Sequence, residues 1–268
     1  MLIKEEALRH WIDHFYGYGS WDSSIWFIGY EESGGDLPEE VAEKLDYFMS
    51  AHRSANEPVL CNIRDLYRKV TFRVSGPRGK LFSDFYEHRF GANAVQHGFW
   101  KNMIAFVHGY KNETLPDLLG YQKKSFAQPS SREALIQLYP LPAHNHAWYY
   151  SWLDLPELDF LKSRTSYQEH LFESRMNTIL QKINQHKPEL VLFYGMDNIQ
   201  SLKTAVQQFF SSAKFNLSKA IKKVVPQYHR ADVNGTKLLI TTQIPGLRHN
   251  RVGTGFDWFE FGMRVTSS

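Results

Sequence analysis

The chain has 268 residues, 43% hydrophobic and 22% charged, which fits one large globular domain or two small ones. Its single cysteine, Cys61, excludes an intramolecular disulfide and a cysteine-based zinc site. The net charge of +3 hides a segregation: residues 1–52 carry 3 Lys/Arg against 11 Asp/Glu, and residues 203–251 carry 9 against 1. The second block suits an anionic partner, or else forms a solvated face. Aromatic residues make up 15% of the chain, enough for an aromatic-rich core or for surfaces on which flat bases stack.

A first helix is predicted over residues 4–16, with Leu8, Trp11, Ile12 and Phe15 on one face. Residues 24–29 form a short continuous apolar run ending in Gly29, the pattern of a strand buried on both faces. A polar loop follows over residues 30–35. Asp36 and Glu39 then have capping-box spacing with Pro38 in the first turn, and Val41, Leu45, Phe48 and Met49 share a helix face. Residues 53–130 read as a basic, helical insertion. Within it, helical spacing recurs at Ile63, Leu66, Tyr67 and Val70, and again at Phe99, Met103, Phe106, Val107 and Tyr110. A turn-forming stretch over residues 75–79 separates the two.

Residues 134–139 are predicted as a strand stopped by Pro140 and Pro142. Thr165 and Gln168 are placed to cap a long helix through His186, with Leu171, Met176, Ile179, Leu180 and Ile183 inward. Residues 190–195 repeat the strand–glycine pattern, and the next helix buries Ile199, Leu202, Val206 and Phe209. Asn234-Gly235 is a hairpin-turn signal, followed by a strand over residues 237–242. A short amphipathic helix carrying Phe256, Phe259 and Met263 closes the sequence.

Strands alternating with helices predict a three-layer α/β fold, a largely parallel central sheet of about four strands flanked by helices. In such sheets ligands bind beyond the carboxyl ends of the strands. The loops at 29–35, 140–146, 195–198 and 243–251 are therefore expected to converge on one site.

The four strand-end segments are Phe27-Ile28-Gly29-Tyr30-Glu31-Glu32-Ser33, Leu135-Ile136-Gln137-Leu138-Tyr139-Pro140, Lys187-Pro188 leading to Gly195, and Thr241-Thr242-Gln243-Ile244-Pro245-Gly246-Leu247-Arg248. In this order they resemble the uracil-DNA glycosylase superfamily. The family pattern is a strand ending in Gly-x-(Asp/Asn)-Pro, a strand ending near an Asn, a strand–Gly–helix after Lys/Arg-Pro, and a strand ending in Thr-x-His-Pro-Ser with an Arg soon after. The resemblance implies a single domain over residues 1–268, with the insertion at about 53–130.

It also implies a protein that handles a base in DNA, or a nucleobase-containing ligand, without a cofactor. Glu31 stands where the family orients water with Asp or Asn, and Glu32 replaces the following Pro. Gln137 aligns with the base-reading Asn, Gln243 with the His that stabilises the departing base, and Pro245 with the Ser of that motif. All of these key positions therefore depart from the family residue. Cleaving an N-glycosidic bond needs a carboxylate near the sugar cation and a donor facing the base anion; Glu31 and Gln243 are of the right types. Glu31 and Gln137 are one methylene longer than the family residues, which places the original base geometry in doubt.

Leu247 would act as a wedge between bases and Arg248 and Arg251 as phosphate contacts, with Lys219, Lys222 and Lys223 as a second basic surface. Tyr30 and Phe72 are the candidate aromatics to stack on a base. Two readings stand beside a divergent glycosylase. One is a non-catalytic nucleic-acid or nucleobase-binding protein of the same fold. The other is an unrelated metal-dependent α/β enzyme using His144 and His146, with Glu31 or Glu32 as a third ligand. No secretory signal is recognised at the start and no apolar run reaches the ~18–20 residues that span a bilayer, so an intracellular, cytoplasmic protein with no membrane or obligate protein partner is expected.

Overall fold

The apolar runs at 25–29 and 190–193 become β2 (Ile25–Gly29) and β5 (Leu190–Phe193), whose side chains are all buried. Lacking alternation, such strands can only sit inside a sheet covered on both faces. The computed structural model, which describes residues 2–32, 37–73, 81–143, 148–195, 198–221, 225–241 and 257–267, places them at the centre of one. β4 (Glu133–Gln137) and β8 (Thr236–Thr241) flank them. β4, β2, β5 and β8 are mutually parallel, with Phe27 opposite both Leu135 and Leu192, and Leu192 opposite Leu239.

The sheet is larger than the sequence predicts. Among the described residues it has eight strands in the order β3-β1-β4-β2-β5-β8-β7-β6. β1 (Phe15–Tyr18) runs antiparallel to β4, and β3 (Val59–Cys61) runs parallel to β1. On the other side β7 (Tyr228–Val233) and β6 (Asn216–Ser218) add antiparallel strands. The Asn234-Gly235 hairpin joins β7 to β8, with φ of 48° and 89° at its two turn residues, as a type I′ turn requires.

Successive residues of β2 show the layers. Trp26 meets His186 at 6.3 Å between ring centroids, and Phe27 meets Phe106 at 6.1 Å. Neighbouring strand residues point to opposite faces, so α7 (Arg164–His186) covers one face and α5 (Gly98–Tyr110) the other. Together they make a three-layer α/β fold. α9 (Trp258–Ser267) lies against α5 at unusually close range, because glycines face each other's backbone. A Cβ at Gly262 would come within 2.1 Å of the Phe106 carbonyl oxygen, and one at Gly109 within 2.0 Å of that of Phe259. Gly262→Ala must push the helices apart, and we expect a loss of about 1–3 kcal/mol in chemical denaturation.

Several helix boundaries differ from the sequence expectation for local reasons. α1 (Glu5–His14) stops before Phe15, which goes extended and starts β1. α2 (Pro38–Ala51) begins behind Leu37, which makes no side-chain cap, and Pro38 occupies its first turn; Asp36, expected to open a capping box there, lies outside the described residues. α7 is capped by Ser163, whose Oγ accepts from the Ser166 N–H at 3.0 Å, rather than by Thr165. The segment after β3 supplies α3 (Ile63–Tyr67), α4 (Phe85–Phe90), α5 and α6 (Leu118–Lys124). α8 (Ile199–Phe209) follows β5. No helix of the described residues is long and apolar enough to cross a membrane.

Candidate functional site

Parallel pairing brings the carboxyl ends of β2, β4 and β5 to one edge of the sheet, at Gly29, Gln137 and Phe193. A cavity of about 110 Å³ opens there. A single water needs roughly 10–15 Å³, so the space admits one small ring or several waters. Gln137 and Tyr194 line it from the sheet, and His97, Phe99 and Trp100 form a wall at the start of α5.

The adjacent carboxylates Glu31 and Glu32 both line this cleft but are held in different directions. Glu31 is paired with Arg164 at the start of α7, and its Oε1 accepts from Gln168 Nε2 at 2.8 Å. Its side chain is only 3% exposed. Glu32 is held from the opposite side. Its Oε2 accepts from Lys44 Nζ at 2.9 Å and from the Tyr18 hydroxyl at 3.0 Å, and its Oε1 accepts from the Tyr67 hydroxyl at 3.0 Å. Burial, and secondarily the Glu32 charge, push both tyrosine hydroxyls well above their ordinary range, so they remain protonated donors.

Gln137 is 6% exposed, and its Oε1 has no hydrogen-bond partner among the described residues. An unsatisfied buried amide oxygen costs about 1–3 kcal/mol, and a turn of the amide, whose Nε2 also has no hydrogen bond among the described residues, would let a ligand recover that cost. The neighbouring wall is flat. His97 stacks on Trp100 at 4.4 Å, and Trp100 stacks on Phe90 at 5.7 Å.

His97 caps α5: its Nδ1 accepts from the Trp100 N–H at 3.3 Å. Burial first, then the nearby Arg89 and His88, drive its pKa down to about 3. The ring is therefore neutral at pH 7, and because Nδ1 is the acceptor, Nε2 carries the proton.

The sign of the resulting pH dependence follows. Between the ordinary value of about 6.5 and about 3, the unfolded chain binds a proton at His97 that the folded chain refuses, so stability falls as pH falls. His97→Asn keeps a capping acceptor and removes the titration. In urea melts between pH 6 and pH 4 it is expected to flatten the slope by up to about 1.4 kcal/mol per pH unit. An unchanged slope would mean that His97 takes up protons freely in the folded state.

Of the residues singled out in the sequence, Glu31 and Gln137 come together at the cleft. Tyr30 lies beside it, its ring against Tyr139 at 5.5 Å, and does not line it. Phe72 is not at the cleft: it is 8% exposed and enclosed by His88, Phe85 and Phe82 at 4.3, 5.2 and 5.5 Å, so its faces are not free to receive a base. Gln243, Leu247, Arg248 and Arg251 lie outside the described residues, as do Lys222, Lys223, His144 and His146. Lys219 is exposed. No group of three or more potential metal ligands occurs among the described residues. Cys61 is buried and its thiol pKa is pushed up, chiefly by burial, which leaves it unreactive.

Sequence reasoning missed Tyr18, Tyr67, Lys44, His97 and the wall behind it. Lys44 carried a signal: it lies three and four residues from Val41 and Phe48, inside the apolar stripe of α2. A lysine there needs a buried anion. Compared with known proteins, the chain matches no family model, no curated protein and no solved structure.

Proposed function

We propose that the cleft receives a nucleobase presented by nucleic acid and that the protein hydrolyses its N-glycosidic bond. The observation that carries this reading is Gln137: a buried, unsatisfied amide oxygen at the carboxyl end of a central parallel strand, beside a flat aromatic wall and a pair of carboxylates. Three of the segments on which the uracil-DNA glycosylase resemblance rests overlap the central strands β2, β4 and β5, and the fourth begins at Thr241, the last residue of β8, which supports the same reading. Glu31 would face the sugar, its position fixed by Arg164 and Gln168, with lone-pair capacity left to orient a water. Gln137 would read the base edge. Gln243 would donate to the departing base, and Leu247, Arg248 and Arg251 would engage the DNA.

One observation favours a second reading, a non-catalytic binder. The Glu31 carboxylate is already committed to a cation and an amide, as a purely structural acid would be. The two readings separate in a strand-cleavage panel. Single- and double-stranded oligonucleotides carrying uracil, hypoxanthine, xanthine, oxidised bases and modified cytosines that keep the exocyclic amino group are incubated with protein and then treated with alkali. Hydrolysis predicts cleavage at one base, reduced about 100-fold or more in Glu31→Gln. Binding without cleavage, equal in wild type and Glu31→Gln, would establish the second reading. Neither binding nor cleavage by the folded protein would overturn both.

A further inference from the structure

We infer that the cleft selects a single-ring heterocycle bearing an exocyclic amino group, cytosine-like in its hydrogen-bonding edge, over the oxo counterpart of the same size. The inference rests on the nucleobase reading and adds the class of base.

It follows from counting which polar groups of the cleft are already used. The hydroxyls of Tyr18 and Tyr67 are spent as donors to Glu32. Among the described residues Glu32 Oε2 accepts twice, from Tyr18 and Lys44, whereas Oε1 accepts once, from Tyr67. A carboxylate oxygen has two lone pairs, so Oε1 retains one. Gln137 Oε1 is unpartnered. Gln137 Nε2 also has no hydrogen bond among the described residues, so by turning its amide Gln137 can meet either a donor or an acceptor, whereas the Glu32 oxygen is a carboxylate that accepts in every orientation and alone fixes the preference.

A ring amino group meets that demand with two N–H bonds. A ring carbonyl in the same place would set its own lone pairs against the carboxylate, leaving the Glu32 oxygen unpaired and adding a repulsion. His97 lines the same cleft, and the proton on its Nε2 is a donor for a ring nitrogen or the remaining carbonyl once a ligand lies within its reach. Charge narrows the class further. Lys44 offsets Glu32 and Arg164 offsets Glu31, so the site offers little net attraction to a free cation and suits a neutral amino heterocycle better than an ammonium or guanidinium.

Cytosine and uracil are close to isosteric and differ in the edge at issue, so the ratio of their affinities for the intact chain reads the selection directly. Titration of each free base, followed by calorimetry or by ligand-observed NMR, is expected to show cytosine bound about tenfold or more tightly, the worth of one hydrogen bond to a charged group. In the double variant Glu32→Gln/Lys44→Met, which removes both members of the ion pair, the ratio should fall toward one. Uracil binding as tightly as cytosine, or more so, would overturn the inference while leaving a nucleobase cleft in place. An unchanged ratio in the folded double variant would overturn it too, since Glu32 would then not be the reader. Binding of neither base at millimolar concentration by folded protein would sink the nucleobase reading itself, and the inference with it.

Discussion

Arg175→Met is expected to cost about 3–5 kcal/mol, a large part of the ~5–15 kcal/mol that typically holds a domain folded. Arg175 lies on α7 and is 2% exposed. Among the described residues no carboxylate pairs with it. Its guanidinium donates instead to backbone oxygens: Nε to Leu138 at 3.0 Å, Nη2 to Gln137 at 2.7 Å, and Nη1 to Phe15 at 2.9 Å. Its carbon centre sits 3.4 Å over the Tyr16 ring. One planar fork thus fastens the start of β1 and the end of β4 to α7, at the point where β4 delivers Gln137 to the cleft. Burial lowers the Arg175 pKa, which measures the cost of holding a charge there, and the carbonyl ring is what offsets it.

Methionine matches the length and apolar bulk but abandons those oxygens without water to replace it. Lysine retains the charge but has no fork, so Arg175→Lys should also lose more than about 1 kcal/mol. Urea denaturation of the three proteins decides the matter. A loss under about 1 kcal/mol in Arg175→Met would mean that water enters and satisfies the carbonyls.

What could be read in advance follows from which interactions are local. β2 and β5 announce themselves because burial on both faces demands an unbroken apolar run, and Gly235 marks the hairpin because only a few residues tolerate its positive φ. Gln137 was also within reach, as a polar residue at the end of an apolar strand. β1 was not. Phe15, Tyr16 and Tyr18 continue the apolar face of α1, and the switch to extended backbone is set by pairing with β4 some 120 residues away. β3 and β6 have three residues each, too few for any period to show.

The same limit governs the cleft. Glu31 and Glu32 are neighbours in sequence and look alike, yet one is bound by Arg164 on α7 and the other by Lys44 on α2. Which carboxylate faces which partner is a property of the tertiary fold. A lysine in the apolar stripe of α2 told of a buried pair, but not of its partner.

That buried pair gives the second large effect. Lys44 and Glu32 have side chains 8% and 11% exposed, and their atoms meet at 2.9 Å. Lys44→Met leaves the Glu32 carboxylate buried with two tyrosine hydroxyls as its remaining partners among the described residues, and the expected loss is about 3–5 kcal/mol. Glu32→Gln strands the ammonium in the same way. The double variant Glu32→Gln/Lys44→Met removes both charges together, while the glutamine carbonyl oxygen still accepts from a tyrosine hydroxyl and the methionine fills the lysine's path. It should therefore be more stable than either single variant, with a coupling energy of roughly 2 kcal/mol in a double-mutant cycle. If the three variants instead lose stability additively, the pair is not coupled and the carboxylate has another means of support.

The coupling bears on function as well as on stability. An ion pair seldom stabilises a fold more than apolar packing of the same volume, so burying one at a ligand cleft costs stability that packing would have supplied. Glu32 Oε1 keeps a lone pair that no donor among the described residues fills, and a ligand donor would give that arrangement a return. A double variant that folds as well as wild type but no longer prefers an amino heterocycle would separate the two roles: the charges would be dispensable to the fold and required by the cleft.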